Sequence, residues 1–218
     1  MTLTTLNGFS WGIKGLYGPV PKGSSILLMG DVGSGLSKLS KSFVEDGIRD
    51  GDQVIYVSPS MSLEQFQLEY RDRLHYDAIR SGKIKYIDFT SPALQLSDLS
   101  HSIMEAIMAS GGATRIIIDS LSLLAIKFTH EDVIKWGLFM KPRLSGLNVV
   151  CLRIIERGVQ EQGFENASRA LSECIVETST PEVHGSLKER YRVVLCRGVR
   201  VDSVWQNMDV DGLKTTSF

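Results

Sequence analysis

Short aliphatic runs recur along the chain, with helical patterns between them. Ser25–Met29, Gln53–Val57, Ile84–Ile87, Arg115–Ile118 and Asn148–Leu152 are nearly continuous in apolar character. Strands read this way when both faces of a parallel sheet are covered. A helix over Lys38–Arg49 is predicted after the first run. Ser62 with Gln65 three residues on forms a capping box, and Leu63, Phe66, Tyr70 and Leu74 make one apolar stripe behind it. Leu99, Ile103 and Ile107 mark a helix over Ser97–Ser110, and Thr129 opens another that carries Val133, Trp136 and Met140. Strand alternating with helix predicts a three-layer α/β/α domain on a mainly parallel sheet. Beyond Glu156 the pattern changes. Gly158–Ala167 reads as a loop, and Cys174–Thr178 and Arg190–Cys196 read as strands joined by a turn near Pro181–Gly185. Strands without intervening helices predict an antiparallel extension of the sheet. With no repeat and no low-complexity tract, residues 1–218 read as one domain.

Composition narrows the classes. Among 218 residues 43% are hydrophobic and 22% charged, and 24 basic against 25 acidic residues give a net charge of −1. Non-specific nucleic-acid binding needs a basic excess that neutralises phosphates, so nucleic acid is not an expected partner. No apolar run reaches the 18 residues of a membrane span. Met1–Ser10 lacks the basic start and apolar stretch of a secretory signal. Both features lead to the expectation of a cytoplasmic protein. Cys151, Cys174 and Cys196 lie inside apolar runs at spacings that suit no metal and read as buried small hydrophobes. His75, His101, His130 and His184 are scattered, which suits surface or cap positions better than zinc ligation. Trp136 falls on a helical apolar stripe and reads as core; Trp11 and Trp205, near the chain ends, are candidates for subunit contacts.

The richest stretch is Gly30-Asp31-Val32-Gly33-Ser34-Gly35-Leu36-Ser37. It leaves an apolar strand and opens a helix, the setting of a phosphate-binding loop. Its glycines let backbone amides turn toward an anion, and the helix that follows adds the positive end of its dipole. The working motif, however, places lysine between the last glycine and the serine, and here that residue is Leu36. Losing one charged hydrogen bond costs about 1.5–3 kcal/mol, roughly 10- to 150-fold in affinity. Lys38 lies about 200° further round the helix, Lys41 is more than a turn deeper, and Lys22 belongs to the opposite end of the strand. None replaces the missing charge. A glycine-rich strand-to-helix turn with no ligand remains the alternative for this loop.

With these flanks, the chain resembles the single-domain KaiC-like and RadA-like branch of the RecA superfamily of P-loop ATPases. The resemblance rests on Gly12-Ile13-Lys14-Gly15-Leu16 and Pro21-Lys22-Gly23-Ser24 before the loop. It continues through Gly47-Ile48-Arg49-Asp50-Gly51 with Val54–Ser58, Arg115–Ser122, and Arg197-Gly198 late in the chain. It spans about residues 12 to 213 and implies a RecA-like fold, nucleotide at a subunit boundary, and an archaeal origin. By resemblance Asp119 matches the Walker B aspartate that orders magnesium, and Ser37 matches the hydroxyl that ligates it. Asp119 could equally cap the turn after its strand. The family's water-activating glutamate pair aligns with Ser60 and Met61. The late lysine that reaches a neighbour's nucleotide aligns with Leu195, and only Arg197 survives there.

Three charged positions of one reaction centre are thus replaced. The expected function is that of a catalytically inactive homologue, a regulatory or scaffold protein. It would act through a protein partner or peptide, as a homo-oligomer or with a RecA-like relative. No cofactor is expected, ATP and magnesium binding at most weakly through Gly30–Ser37 and Asp119, with Arg197 as the late cofactor-site position. Two alternatives stand: a weak ATP-binding or ATP-hydrolysing switch, and a recombinase-paralogue role on single-stranded DNA.

Overall fold

Alternation along Ser25–Gly30 sends Ile26 and Leu28 to one side of the sheet and Leu27 and Met29 to the other, all fully buried. A strand apolar on both faces needs cover on both, and the computed structural model, which describes residues 8–183 and 185–208, supplies it. The strands are β1 (Gly8–Phe9), β2 (Val20–Pro21), β3 (Ser25–Gly30), β4 (Gln53–Ser58), β5 (Ile84–Asp88), β6 (Thr114–Ile118), β7 (Val149–Glu156), β8 (Cys174–Ser179), β9 (Glu182–Val183), β10 (Ser186–Leu187), β11 (Arg190–Cys196) and β12 (Gln206–Asn207). The helices are α1 (Leu36–Asp50), α2 (Leu63–Glu69), α3 (Arg73–Arg80), α4 (Leu96–Ser110), α5 (Leu121–Lys127), α6 (His130–Ser145) and α7 (Gln162–Ala170).

Eight strands form the main sheet in the order β12-β11-β8-β3-β7-β6-β4-β5. From β8 to β5 all neighbours are parallel; β11 runs against both β8 and β12. One apolar layer packs α1, Phe66 and Tyr70 against one face, and the other packs α4, α5, α6 and α7 against the opposite face. This is the expected three-layer α/β/α arrangement, with β3 and the loop that leaves it in the middle.

The sequence-based expectation needs correction at several places. Gly158–Ala167 is not all loop: α7 spans Gln162–Ala170 and buries Phe164, Glu165 and Ser168. Its short polar sequence shows little apolar periodicity, and Phe164 alone anchors it in the core. Because α7 carries the chain back across the sheet, β8 joins β3 in parallel, and only β11 supplies the antiparallel extension beside it. The stripe from Leu63 to Leu74 is two helices, not one. α2 ends at Tyr70, and the carboxylate of Asp72 accepts from His75 N to start α3. His75 is fully buried, with its Nδ1 2.7 Å from Asp72 Oδ1, so it is not a surface histidine. Trp11 is also interior: it packs edge-on against Phe43 at 5.2 Å, and its Nε1 donates to Ser42 Oγ at 3.1 Å, which leaves it unavailable to another subunit. The three cysteines are free and buried, and Trp136 is core. His184 and Met1–Asn7 lie outside the described residues. No described helix is long and apolar enough to cross a membrane.

Candidate functional site

The carboxyl ends of four adjacent parallel strands converge: Gly30 ends β3, Asp119 follows β6, Glu156 ends β7 and Thr178 lies near the end of β8. In open α/β sheets this edge is where ligands bind. The loop 31–35 retains the glycine conformations that such a loop requires. Gly33 and Gly35 have φ of 80° and 90°, a region costly for any residue with a Cβ. At Gly30 a Cβ would fall 1.8 Å from Thr178 Oγ1, so only glycine allows β8 to close in. Ser34 is buried and braces the loop. Its hydroxyl donates to Asp31 O at 2.6 Å and accepts from Thr178 Oγ1.

Leu36 takes the place of the motif's lysine, and its surroundings are apolar. Leu36, the first residue of α1, is only 7% exposed and belongs to the same apolar layer as Leu39, Phe43 and Met208. Met208 presses on the loop so closely that a Cβ on Gly35 would lie 2.4 Å from its sulfur and 3.6 Å from Glu189 Cδ. The Met208 amide donates to Glu189 O at 3.0 Å, so both residues arrive together on the β11–β12 pair. Asp31 and Val32 are exposed at the tip, Val32 at 76%. Lys38 pairs with Glu189, which itself lies against Gly35, and Lys41 reaches Asp72 at 2.8 Å, so both cations are engaged by carboxylates.

Ser37 lies near the start of α1 at the loop end, and Asp119 follows β6 on the same edge of the sheet. Ser37 is exposed on the first turn of α1, and no hydrogen bond joins it to Asp119 among the described residues. The Asp119 carboxylate accepts a short hydrogen bond from Tyr56 Oη. Burial drives its pKa up to about 6; the Tyr56 hydrogen bond opposes that rise, and repulsion from Glu156 and Glu69 adds to it. Tyr56 itself is pushed well above the usual tyrosine range, by burial first and then by Asp119. It belongs to a cluster with Phe66, Tyr70 and Tyr86 at ring separations of 4.8, 5.7 and 6.1 Å. Met61 leans on the same apolar layer, its carbonyl accepting from Tyr86 Oη, while Ser60 is exposed. The turn that would carry water-activating carboxylates is instead packed on aromatic rings. The capping alternative also has a clear occupant: Ser120, not Asp119, caps α5 by accepting from Leu123 N at 3.4 Å.

Arg197 stands apart. Cys196 pairs with Cys174, and Cys174 pairs with Ile26, so Arg197 lies beside the start of β3. At about 3.3 Å per residue this is roughly 17 Å along the strand from its own loop. It is exposed there, as Leu195 is partly. Sequence reasoning missed Tyr56, Glu156 and Met208. Glu156 accepts from Ser120 Oγ at 2.7 Å, and its signal was a lone carboxylate ending the apolar run of β7. Met208 carried no such signal. Among the described residues no group of three His, Cys, Asp or Glu could hold a metal.

A glycine-turned loop between a central parallel strand and a helix, on a sheet layered by helices, defines a P-loop NTPase fold of the RecA type. The chain belongs to the KaiC ATPase family: the model described as "ATPase: KaiC" matches residues 5–215. A UPF0273 protein of Saccharolobus solfataricus is 25% identical over 89% of this chain and 75% of its own length. A second, of Pyrobaculum aerophilum, is 29% identical over 68% of this chain and 58% of its own. Among solved structures, a KaiC-like protein of Pyrococcus horikoshii superposes with a TM-score of 0.79 at 17% identity, covering 95% of this chain and 97% of that one. Flagellar accessory protein FlaH of Methanocaldococcus jannaschii gives 0.67 at 18% identity, covering 82% and 81%. At these identities the superpositions establish the fold.

Proposed function

We propose that this chain is a non-catalytic member of the KaiC ATPase family that acts through protein contacts, as a regulatory or scaffold subunit. The observation that carries the proposal is the burial of Leu36. The residue that should be a solvated cation over phosphate is part of the hydrophobic layer beneath the loop. Three further features support it. Met208 and Glu189 crowd Gly35, the Asp119 carboxylate is engaged by Tyr56, and an aliphatic and a hydroxyl residue replace the water-activating pair. Without a cation the developing charge of phosphoryl transfer has no fixed counter-charge at this position. In a head-to-tail arrangement Arg197, far from its own loop, would meet the loop end of another RecA-like protomer. That supports a homo-oligomer or an assembly with a catalytic relative as the working form.

One observation favours a second reading, a weak nucleotide-gated switch: the left-handed Gly33 and Gly35 leave the backbone of the loop competent to turn amides toward an anion. Among the described residues Arg157, Arg169 and Arg192 all converge on the buried carboxylate of Glu177, which counts against a single-stranded DNA role for this edge. The deciding experiment measures phosphate release from Mg-ATP, titration of a fluorescent ATP analogue, and mass by light scattering on one preparation. The expected result is no turnover above background, no saturable micromolar binding, and a defined oligomer. Magnesium-dependent turnover abolished by Asp119→Ala would overturn the proposal. Saturable binding without turnover would transfer it to the switch.

A further inference from the structure

A second site lies on the opposite side of the sheet from Leu36. Arg153 stands in the middle of β7, between Cys151 and Ile155, on the face covered by α4, α5, α6 and α7. It is 7% exposed, and the described residues give its guanidinium one hydrogen bond, from Nη2 to Ser172 Oγ at 2.8 Å. Nε is buried without a partner, and no described carboxylate lies within 4 Å of the group. The acidic residue that acts on it, Glu173, is committed elsewhere. It pairs with Lys141 at 2.6 Å and accepts from Ser25 N at 2.9 Å. Burial pulls the Arg153 pKa down from its ordinary value, yet guanidinium keeps its proton in proteins. A buried cation with no carboxylate at ion-pair distance is costly, and the distant Glu173, shared with Lys141, offsets that only in part.

The fold has made room for one. Arg153 lines a cavity of about 30 Å³ with Ile118, Trp136, Gly137 and Met140, and Lys141 at its rim. Its walls are mostly apolar, and the only charged side chains among its lining residues are the cations Lys141 and Arg153. Gly137 faces Nη1: a Cβ there would come within 3.9 Å of that nitrogen and 3.5 Å of Leu171 Cδ1. The volume suits on the order of one or two water-sized groups. From the buried guanidinium and the cavity shaped around it, we infer that this chain binds a small monovalent inorganic anion of chloride size against Arg153.

The test uses the full chain. Thermal unfolding is followed across a sodium chloride titration, with sodium gluconate holding ionic strength constant, and repeated with bromide. A rise in melting temperature that grows with the logarithm of halide concentration, about 3–6 °C at tenfold excess over the dissociation constant, is expected in either halide. Arg153→Met should lose the rise. Gly137→Ala meets its neighbours at ordinary contact distances, so it should fold while filling the space beside Nη1, and the halide concentration needed should increase about tenfold. Identical melting curves in chloride and gluconate would overturn the inference. So would a chloride-dependent rise that is unchanged in Gly137→Ala, which decides the matter if Arg153→Met does not fold.

Discussion

Leu36 and Asp119 mark the two ends of the altered site, and each makes a measurable claim. If Leu36 is a core residue, Leu36→Ala should lower unfolding free energy by about 2–5 kcal/mol, as a buried large-to-small change does. A leucine that merely lined a solvated loop would lose under about 0.5 kcal/mol, so urea denaturation separates the two. Asp119 predicts a pH effect. Its folded pKa of about 6 lies above the ordinary aspartate value of 3.8, so between those values the native state holds a proton that the unfolded chain releases. Stability therefore falls as pH rises from about 4 to 6, by up to about 3 kcal/mol at 1.36 kcal/mol per unit. Asp119→Asn should remove that slope. The wild-type-minus-variant difference in urea midpoint across pH 4–7 measures it, and a difference independent of pH would refute the assignment. The lysine's absence was legible at sight. What the leucine does instead was not, because burial depends on Phe43 and on Met208, 172 residues away in the chain by difference of their numbers.

Among elements, β3, β4, β5, β6, β8 and β11 were read to within a residue at each end, because a continuous apolar run or a period of two is hard to mistake. β7 runs four residues beyond the Leu152 expected, past Arg153, and the two-residue strands carried no pattern. Arg190–Cys196 coincides with β11. Helices failed where the signal was thin. α7 has a single large apolar residue in its docked face, and the break between α2 and α3 depends on Asp72, a cap that also binds His75 and Lys41. The docking of α7 can be tested directly. Phe164 is 3% exposed, so Phe164→Ala should cost about 3–5 kcal/mol and speed amide hydrogen exchange in Gln162–Ala170. Wild-type exchange and stability would restore the loop reading of this segment. The orientation of β8 followed from α7: once a helix crosses back over the sheet, the strand after it runs parallel.

For the molecule as a whole, sequence alone determined the class of fold and the charge missing from the phosphate loop. Both are local matters: the alternation of short apolar runs with helical periods, and the identity of one residue in an eight-residue motif. Tertiary packing determined the rest, namely that Leu36 is interior, that Met208 and Glu189 lie on Gly35, that Tyr56 holds Asp119, and that Arg197 stands at the far end of the sheet from its own loop. Those relations depend on strand order and register, which bring β12 and β11 to the loop end through β8. No local pattern encodes them, because contacts across a sheet join residues whose separation in sequence carries no signal of their closeness in space.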